Sequence, residues 1–304
     1  MGTSLGLVQV TAASEEAEAL LEAAASACWV AKAAGGNCIH EYEMAASEPI
    51  ASAQKQEALD WQEWLAQALE GSGLTLYCQR IAPLKPDRSL LPHYAIFPGS
   101  SDKDLGLIPP ADLALEFVSK VQVLDRRTIE RVLRWMAIHQ AELDNVGAYV
   151  IKLSGYALND QHLMEYVIEQ LIDSKVPPSK ICFELQEAAV IAHLADAQRL
   201  VRTLREFGCQ FSLSGFGRAA ASQDYLNRLA IDYLAIDGVF VKEIINNPAN
   251  HATVKSTHEI AHLLGKKTIA YHVETEAILE RLRAIGVDYA QAPHEAPCLM
   301  EECA

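Results

Sequence analysis

Two short motifs in this sequence carry residue types at spacings that occur in enzyme sites. The first is H-E-x-x-H, in which Glu259 follows His258 and His262 lies four residues after His258. On a helix both rings would face one side and could bind zinc, with Glu259 as the general base. The third histidine of the longer zinc motif is replaced by Thr268. We therefore interpret the segment as an amphipathic outer helix and keep a zinc hydrolase as an alternative.

The second motif is G-x-G-x-x-A over residues 215–220, and Asp237 lies twenty residues after its second glycine. This spacing is typical of a turn that binds a dinucleotide. The fingerprint belongs to the first strand–helix unit of an open sheet, whereas here it follows about the fifth strand of the chain. Its position therefore disfavours NAD binding, which stays an alternative.

Strand and helix patterns alternate from Leu74 onward. The strand candidates are Leu74–Ile81, His93–Phe97, Ala148–Leu153, Lys180–Leu185, Gln210–Leu213, Tyr233–Ile236, Lys267–Tyr271 and Asp288–Gln291. The helix candidates between them are Pro110–Val121, Asp125–Leu143, Asp160–Ser174, Ala189–Phe207, Thr253–Leu264 and Glu276–Ile285. This order predicts the α/β class and a closed (β/α)8 barrel, with an open sheet as the alternative. Barrel enzymes place their chemistry at the carboxyl ends of strands, which here are Pro98, Lys152, Glu184, Ser214, Asp237, His272 and Gln291.

The first part of the chain differs from the rest in charge. The net charge is −15, of which residues 1–73 carry −9. Residues 1–43 have the pattern strand–helix–strand, residues 44–56 resemble a linker, and residues 57–304 form the predicted barrel domain. A strongly acidic chain lacks the basic face that nucleic-acid polymers require, so we exclude them as partners.

The cysteines indicate the compartment. The chain has seven cysteines, an odd number, and no C-x-x-C pair. Reduced thiols in the cytoplasm are the natural interpretation. No apolar run reaches the roughly 18 residues that a membrane span needs.

Residues 57–292 resemble the EAL domain, the family of cyclic di-GMP phosphodiesterases. The similar segments occur in the family's order and are Leu76–Leu84, Leu107–Leu113, Lys180–Glu187, Phe211–Leu226, Ile231–Val241, Thr268–Thr275 and Ile285–Gln291. The resemblance implies a TIM-like barrel, in agreement with the strand pattern. Residues 1–43 resemble the C-terminal tail of a GGDEF domain through Ser4–Gly6 and Leu20–Asn37. We therefore expect a fragment of a larger signalling protein, which could be anchored to a membrane.

The resemblance also implies a site with two divalent cations, Mg²⁺ or Mn²⁺, held by carboxylates and one Asn, with an assisting Lys. At these positions the sequence departs from the family. The Glu of the name-giving motif aligns with Tyr94, the following Arg with Pro98, the Asn with Lys152, the paired Asp with Ser214 and Gly215, the Lys with Ala235 and a later Glu with Tyr271. The retained positions are Gln79, Glu184 and Asp237.

Hard cations require several anionic oxygens, so we expect no resident metal and no catalytic residue. The predicted function is a catalytically inactive signalling module that acts through protein contacts. The alternatives are an inactive cyclic di-GMP receptor and a residually active phosphodiesterase. We expect cyclic di-GMP to bind weakly if at all. The resemblance implies pairing through the helices beside the loop at Arg218–Asp224, and we expect a homodimer although this segment has lost the loop's Gly/Tyr pattern.

The sequence also predicts a specific ion pair. Lys152 and Glu184 end the third and fourth strand candidates, which are neighbours in a barrel. We predict that the Lys152 ammonium takes the place of the cation beside Glu184, with Tyr94 or Tyr271 donating a hydrogen bond. Asp237 is expected to act as a hydrogen-bonding group at the rim or as a capping group.

Overall fold

The computed structural model describes residues 5–8, 24, 27–28, 39–41, 64–66, 68–69, 74–85, 90–99, 115–216, 224–291 and 297–302. Contacts divide the chain into two compact units, one made almost entirely of residues 1–63 and the other of the residues from 64 onward. Each unit is described by itself. Three segments named above lie wholly or mostly outside the described residues: the linker at 44–56, Leu107–Leu113 and Arg218–Asp224.

The smaller unit contains two parallel strands, β1 (Leu5–Leu7) and β2 (Ile39–Glu41). Ala24, Ala27 and Cys28, between these strands in the chain, are helical. A Cβ at Gly6 would lie 2.1 Å from the carbonyl oxygen of Ala24, so the strand packs directly on the helix backbone. The predicted strand–helix–strand pattern is thus confirmed in the described residues. Its assignment to a GGDEF tail and the domain boundaries stay predictions.

The larger unit contains the remaining strands and the helices. The strands are β3 (Thr75–Pro83), β4 (His93–Gly99), β5 (Tyr149–Lys152), β6 (Ile181–Gln186), β7 (Gln210–Phe216), β8 (Tyr233–Ile236), β9 (Lys267–Ala270), β10 (Tyr289–Gln291) and β11 (Cys298–Leu299). Among the described residues, the helices with defined bounds are α1 (Leu115–Ile138), α2 (Leu163–Ser174), α3 (Glu187–Ala192), α4 (Leu194–Glu206), α5 (Asp224–Arg228), α6 (Gly238–Lys242), α7 (Pro248–Leu263) and α8 (Glu276–Ile285). Short 3-10 helices span Gln140–Asn145, Ala157–Asn159, Pro178–Lys180 and Met300–Glu302.

Strands β3 to β10 form a closed barrel of eight strands, since they pair in chain order and β10 pairs back with β3. Strand β3 is antiparallel to both of its neighbours, and the pairs from β4 to β10 are parallel. Strand β11 adds to β3 outside the ring. The α/β barrel and all eight predicted strands are therefore confirmed.

Asp125 marks the first difference from the predicted helices. We expected one helix to end at Val121 and another to begin at Asp125, whereas α1 runs without a break through both. An Asp at a helix start normally caps the first backbone N–H groups. Here the Asp125 carboxylate instead accepts hydrogen bonds from the backbone N–H and the hydroxyl of Ser154, after β5. The helix therefore continues.

Other helix boundaries also differ. Helix α1 ends at Ile138 instead of Leu143, α2 begins at Leu163 instead of Asp160, and two further differences have a visible cause. The predicted helix Ala189–Phe207 is divided into α3 and α4 at His193, whose ψ of 48° is not helical. Helix α7 begins before Thr253, because the side chain of Asn247 accepts hydrogen bonds from the backbone N–H groups of Ala249 and Asn250. An Asn cap followed by proline is a strong helix start. By contrast, α8 has the predicted bounds.

The barrel has an inner and an outer apolar layer, because side chains along a strand alternate between its faces. The inner layer is a cluster of strand residues that includes Ala95, Val150, Ala235 and Ile269. The outer layer joins strands β8 to β10 to helices α6 to α8 through residues such as Ile236 and Leu282. Among the described residues, no helix is long and apolar enough to cross a membrane.

Candidate functional site

Lys152 and Glu184 lie on neighbouring parallel strands and are direct register partners in β5 and β6. Their side chains therefore point to the same face of the barrel wall. The Lys152 Nζ lies 3.7 Å from Oε1 of Glu184, and the side chains are 34% and 3% exposed. The predicted ion pair is confirmed, with a buried carboxylate and an ammonium that reaches solvent.

Tyr271 completes the surroundings of this carboxylate. Its hydroxyl donates a hydrogen bond of 2.6 Å to Oε2 of Glu184, and the Ser212 hydroxyl lies 3.4 Å from the same oxygen. Lys152 Nζ also lies 4.1 Å from the centre of the Tyr271 ring, a cation–π contact. Burial and the neighbouring Glu184 raise the pKa of Tyr271 well above its usual value, so the phenol stays protonated and can donate. Of the two candidate tyrosines, Tyr271 is the one that binds Glu184.

Tyr94 lies on the other face of the barrel wall. Its ring stacks on Tyr149 with centroids 5.8 Å apart, and Tyr149 contacts Trp135 of α1. Its neighbour Ala95 instead belongs to the inner cluster that also contains Tyr271. The alignment of Tyr94 with an inward ligand of the family is thus not supported, because one residue of register exchanges the two faces of a strand.

The other positions at which the sequence departs from the family lie in the barrel interior or near the ends of strands. Ala235, aligned with the family's Lys, is buried in the inner cluster. Ser214 donates from its hydroxyl to the Leu185 carbonyl oxygen, 3.3 Å away. Gly215 has φ of +76° and lies in the register shift between β7 and β8. Pro98 lies near the end of β4 opposite Leu76 of β3.

Asp237 and His272 follow β8 and β9 at the same end of the barrel. Asp237 caps α6, accepting a hydrogen bond of 2.9 Å from the backbone N–H of Val239, as the sequence analysis expected. His272 has φ of +57°, which is uncommon for a residue with a side chain. Burial, then Lys152 and Lys242, lower its pKa, so the ring is neutral at pH 7.

Two glutamines connect the first and last barrel strands. Gln291 donates from its amide to the Gln79 side-chain oxygen, and its own oxygen accepts from the His272 backbone N–H at 2.9 Å. The retained Gln79 is therefore part of a polar chain that reaches His272. Residues Ala292–His294, which follow this chain, lie outside the described residues.

Glu187 is a buried acid that the sequence analysis missed. It begins α3, three residues after Glu184, and the Tyr225 hydroxyl donates to it. Burial, followed by the hydrogen bond to Glu187, raises the pKa of Tyr225 and keeps the phenol protonated. A second glutamate directly after a buried strand was the available signal.

These residues do not fit a pair of divalent cations. Among the described residues, the groups that contact the Glu184 carboxylate are an ammonium and two hydroxyls. Ala235 and Tyr271 replace side chains that the family resemblance would require, and Asp237 is committed to a helix cap. Mg²⁺ and Mn²⁺ bind where several anionic oxygens converge. The cation beside Glu184 is here a lysine side chain.

Comparison with known proteins identifies the family. The EAL domain model matches residues 62–292. The chain is 32% identical over 293 residues to cyclic di-GMP phosphodiesterase PdeB of Shewanella oneidensis, covering 96% of this chain and 34% of that protein. It is 27% identical over 232 residues to cyclic di-GMP phosphodiesterase PdeA of Borreliella burgdorferi, covering 75% and 34%. The chain thus spans about a third of the length of these relatives.

A solved structure agrees with the sequence comparison. The FimX EAL domain from Pseudomonas aeruginosa bound to c-di-GMP has a TM-score of 0.67 and 25% identity, over 78% of this chain and 96% of that one. Both relatives above carry the name of a phosphodiesterase. The prediction of a catalytically inactive module that acts through protein contacts is therefore wrong, and its alternative of residual phosphodiesterase activity agrees better with these relatives. By the match of its barrel and by its relatives, the chain belongs to the EAL domain family.

Proposed function

We propose that this chain binds cyclic di-GMP and hydrolyses it slowly, at the end of the barrel that holds Lys152 and Glu184. The observation that carries the proposal is the EAL match over residues 62–292, which includes the buried Glu184. Relatives named for this substrate support it. The activity of the longer protein, its cytoplasmic location and a homodimer are further proposals.

Lys152 is the side chain suited to bind a phosphodiester. Its ammonium is held by Glu184 and Tyr271 yet remains partly open to solvent. A charge-assisted hydrogen bond to a phosphate oxygen is about twice as strong as a neutral one. The ammonium would also neutralise the charge that develops on phosphate oxygens during attack, the type of electrostatic assistance that most enzymes use.

Glu184 is suited to accept the proton of the attacking water. In this step the water oxygen bonds to phosphorus, its proton goes to the carboxylate, and the phosphorus–oxygen ester bond breaks to leave a linear dinucleotide. The departing oxygen takes a proton from solvent. Both carboxylate oxygens are already engaged, Oε1 by the Lys152 ammonium and Oε2 by the Tyr271 and Ser212 hydroxyls, so an attacking water must displace one of these contacts. Turnover is therefore expected to be slow.

Calorimetric titration with cyclic di-GMP, combined with chromatographic detection of the linear product, tests the proposal. We expect the wild type to bind and to form product, Glu184→Gln to bind without forming product, and Lys152→Met to bind more weakly. Glu259→Gln, on the surface of α7, is the matched control and should behave as wild type. Absence of binding in the wild type, or product formation that Glu184→Gln leaves unchanged, would overturn the proposal.

A further inference from the structure

A second cluster of chemically active side chains lies at the opposite ends of the strands from Lys152 and Glu184. His258 and His262 come from α7, and Asp288 lies directly before β10. One ring nitrogen of each histidine and one Asp288 oxygen lie within 4.8 Å of one another. We propose that His258, His262 and Asp288 form a binding site for Zn²⁺ or a similar transition-metal ion.

The ligand types fit this class of metal. Zinc binds imidazole nitrogen at about 2.0–2.1 Å and carboxylate oxygen at about 2.0–2.2 Å, so ligand atoms of a tetrahedral site lie about 3.3 Å apart. His262 Nε2 is already 2.7 Å from Oδ2 of Asp288, and the two imidazole rings have centroids 4.1 Å apart. The ligand atoms lie within 4.8 Å of one another, so side-chain movements of up to about 1.5 Å would bring them to that spacing. Two imidazoles and one carboxylate favour zinc over Mg²⁺ or Ca²⁺.

Outer groups hold these ligands in place. The Thr268 hydroxyl lies 3.0 Å from Nδ1 of His258 and 3.1 Å from Oδ2 of Asp288, so it bridges two of the ligands. Lys85 donates to the other carboxylate oxygen, Oδ1, at 2.7 Å. Metal sites regularly depend on such surrounding hydrogen bonds, which orient the ligands. Thr268 occupies the position where the longer zinc motif would have its third histidine.

Packing at the cluster also suits these ligands. Asp288 accepts hydrogen bonds from Lys85, from His262 and from the Thr268 backbone N–H, which hold its carboxylate in place. The buried His258 ring packs against the residue that follows α8. Next to this ring, a Cβ at residue 286 would lie 3.2 Å from Nε2, and the residue is Gly286. A larger side chain would crowd the ring.

The arrangement differs from a zinc hydrolase, which was the alternative drawn from the H-E-x-x-H motif. Glu259 is exposed and lies 3.9 Å from Lys255 on the helix surface, away from the cluster. The proposed site therefore lacks the general base of that motif and gains Asp288 instead. Two of the ligands lie on α7 and the third directly precedes β10, so the site forms only when the chain is folded. Bound metal would therefore stabilise the native fold.

Zn²⁺ alone, titrated into chelator-treated full-length chain under reducing conditions, tests the site. We expect one equivalent to bind and to raise the melting temperature. His258→Gln and His262→Gln should each weaken zinc binding at least about tenfold. His251→Gln, on the same helix seven residues before His258, is the matched control and should bind as wild type. Equal zinc binding by the wild type and both ligand variants would overturn the site.

Co²⁺ provides a second measurement on the wild type, which does not depend on variants that fold. Nitrogen and oxygen ligands give visible absorption bands without the charge-transfer band of a cobalt–thiolate bond. We expect the former spectrum. A thiolate band, or no Co²⁺ spectrum at all, would place the metal elsewhere or exclude it, and would overturn the proposal.

Discussion

Lys152 Nζ lies 3.7 Å from Oε1 of Glu184 and 4.1 Å from the centre of the Tyr271 ring. One ammonium thus compensates a carboxylate that is 3% exposed. Because an uncompensated buried charge is strongly unfavourable, these three residues are expected to depend on one another energetically.

Lys152→Met should lower the free energy of unfolding by about 2 kcal/mol. This lies between the roughly 0–1 kcal/mol of a surface ion pair and the 3–5 kcal/mol lost when one partner of a buried pair is removed, because Lys152 is partly exposed. The double variant Lys152→Met with Glu184→Gln should lose less than the single variant, since no charge is left buried. Urea denaturation of the wild type and three variants measures this coupling. Additive effects would contradict it.

Tyr271→Phe removes the hydroxyl that donates to Glu184 at 2.6 Å. Hydrogen bonds to charged groups contribute roughly 1.5–3 kcal/mol, and we expect a loss of stability in that range. Tyr166→Phe is the matched control, because its hydroxyl makes a long contact of 3.4 Å with Glu130 in a more open position. Its effect should be below about 0.5 kcal/mol. Similar effects of the two substitutions would argue against a special role for Tyr271.

The barrel was predictable because its strands are short apolar runs bounded by turns, a local property of the chain. The register of β4, in contrast, could not be predicted from the sequence. Its residues are apolar on both faces, so no alternation distinguishes Tyr94 from Ala95, and a shift of one residue exchanges inside and outside. Only the pairing of β4 with β5, which sets Ala95 opposite Val150, fixes the assignment.

Among contacts between residues distant in sequence, some were predictable and others were not. The Lys152–Glu184 pair was predictable because both residues end neighbouring strands, so topology alone brings them together. Asp288 beside His262 was not predicted, since a helix end and a strand start 26 residues later give no periodic signal. The helix start predicted at Asp125 was also wrong, because the partner of its carboxylate, Ser154, lies 29 residues away and gives no local signal.

His93 should make the fold sensitive to acid. Burial, followed by the charge of Lys267, lowers the pKa of His93 to about 4. The unfolded chain, with an ordinary histidine pKa, binds this proton first, so the contribution to stability is complete above about pH 6.5 and is lost as the pH falls toward 4. The expected loss is about 3 kcal/mol. His93→Phe should reduce the slope of unfolding free energy against pH in this window, whereas His251→Gln should leave it unchanged. An unaltered slope in His93→Phe would refute the assignment.

Chelation of divalent cations should leave cyclic di-GMP binding unchanged, if the proposed function holds. The charge offered to the phosphate is then the Lys152 ammonium, which chelators do not remove. Lys152→Met should weaken binding roughly tenfold, the equivalent of one charge-assisted hydrogen bond. Calorimetry with EDTA and with added Mg²⁺ compares the two conditions. Binding that requires Mg²⁺ would show that a cation site exists in spite of the groups around Glu184.

Gly238 and His272 should be coupled through a steric contact. A Cβ at Gly238 would lie 2.3 Å from Cδ2 and 2.9 Å from Cβ of His272. Rotation of the imidazole cannot relieve the second contact, so Gly238→Ala should destabilise the fold by about 1–3 kcal/mol. His272→Gly removes both contacts and also suits the positive φ of that position. In the His272→Gly background, Gly238→Ala should therefore be close to neutral, because Ala is favourable at the start of α6. Thermal or urea unfolding of the four proteins measures this cycle, and an equal penalty in both backgrounds would show that the two positions are independent.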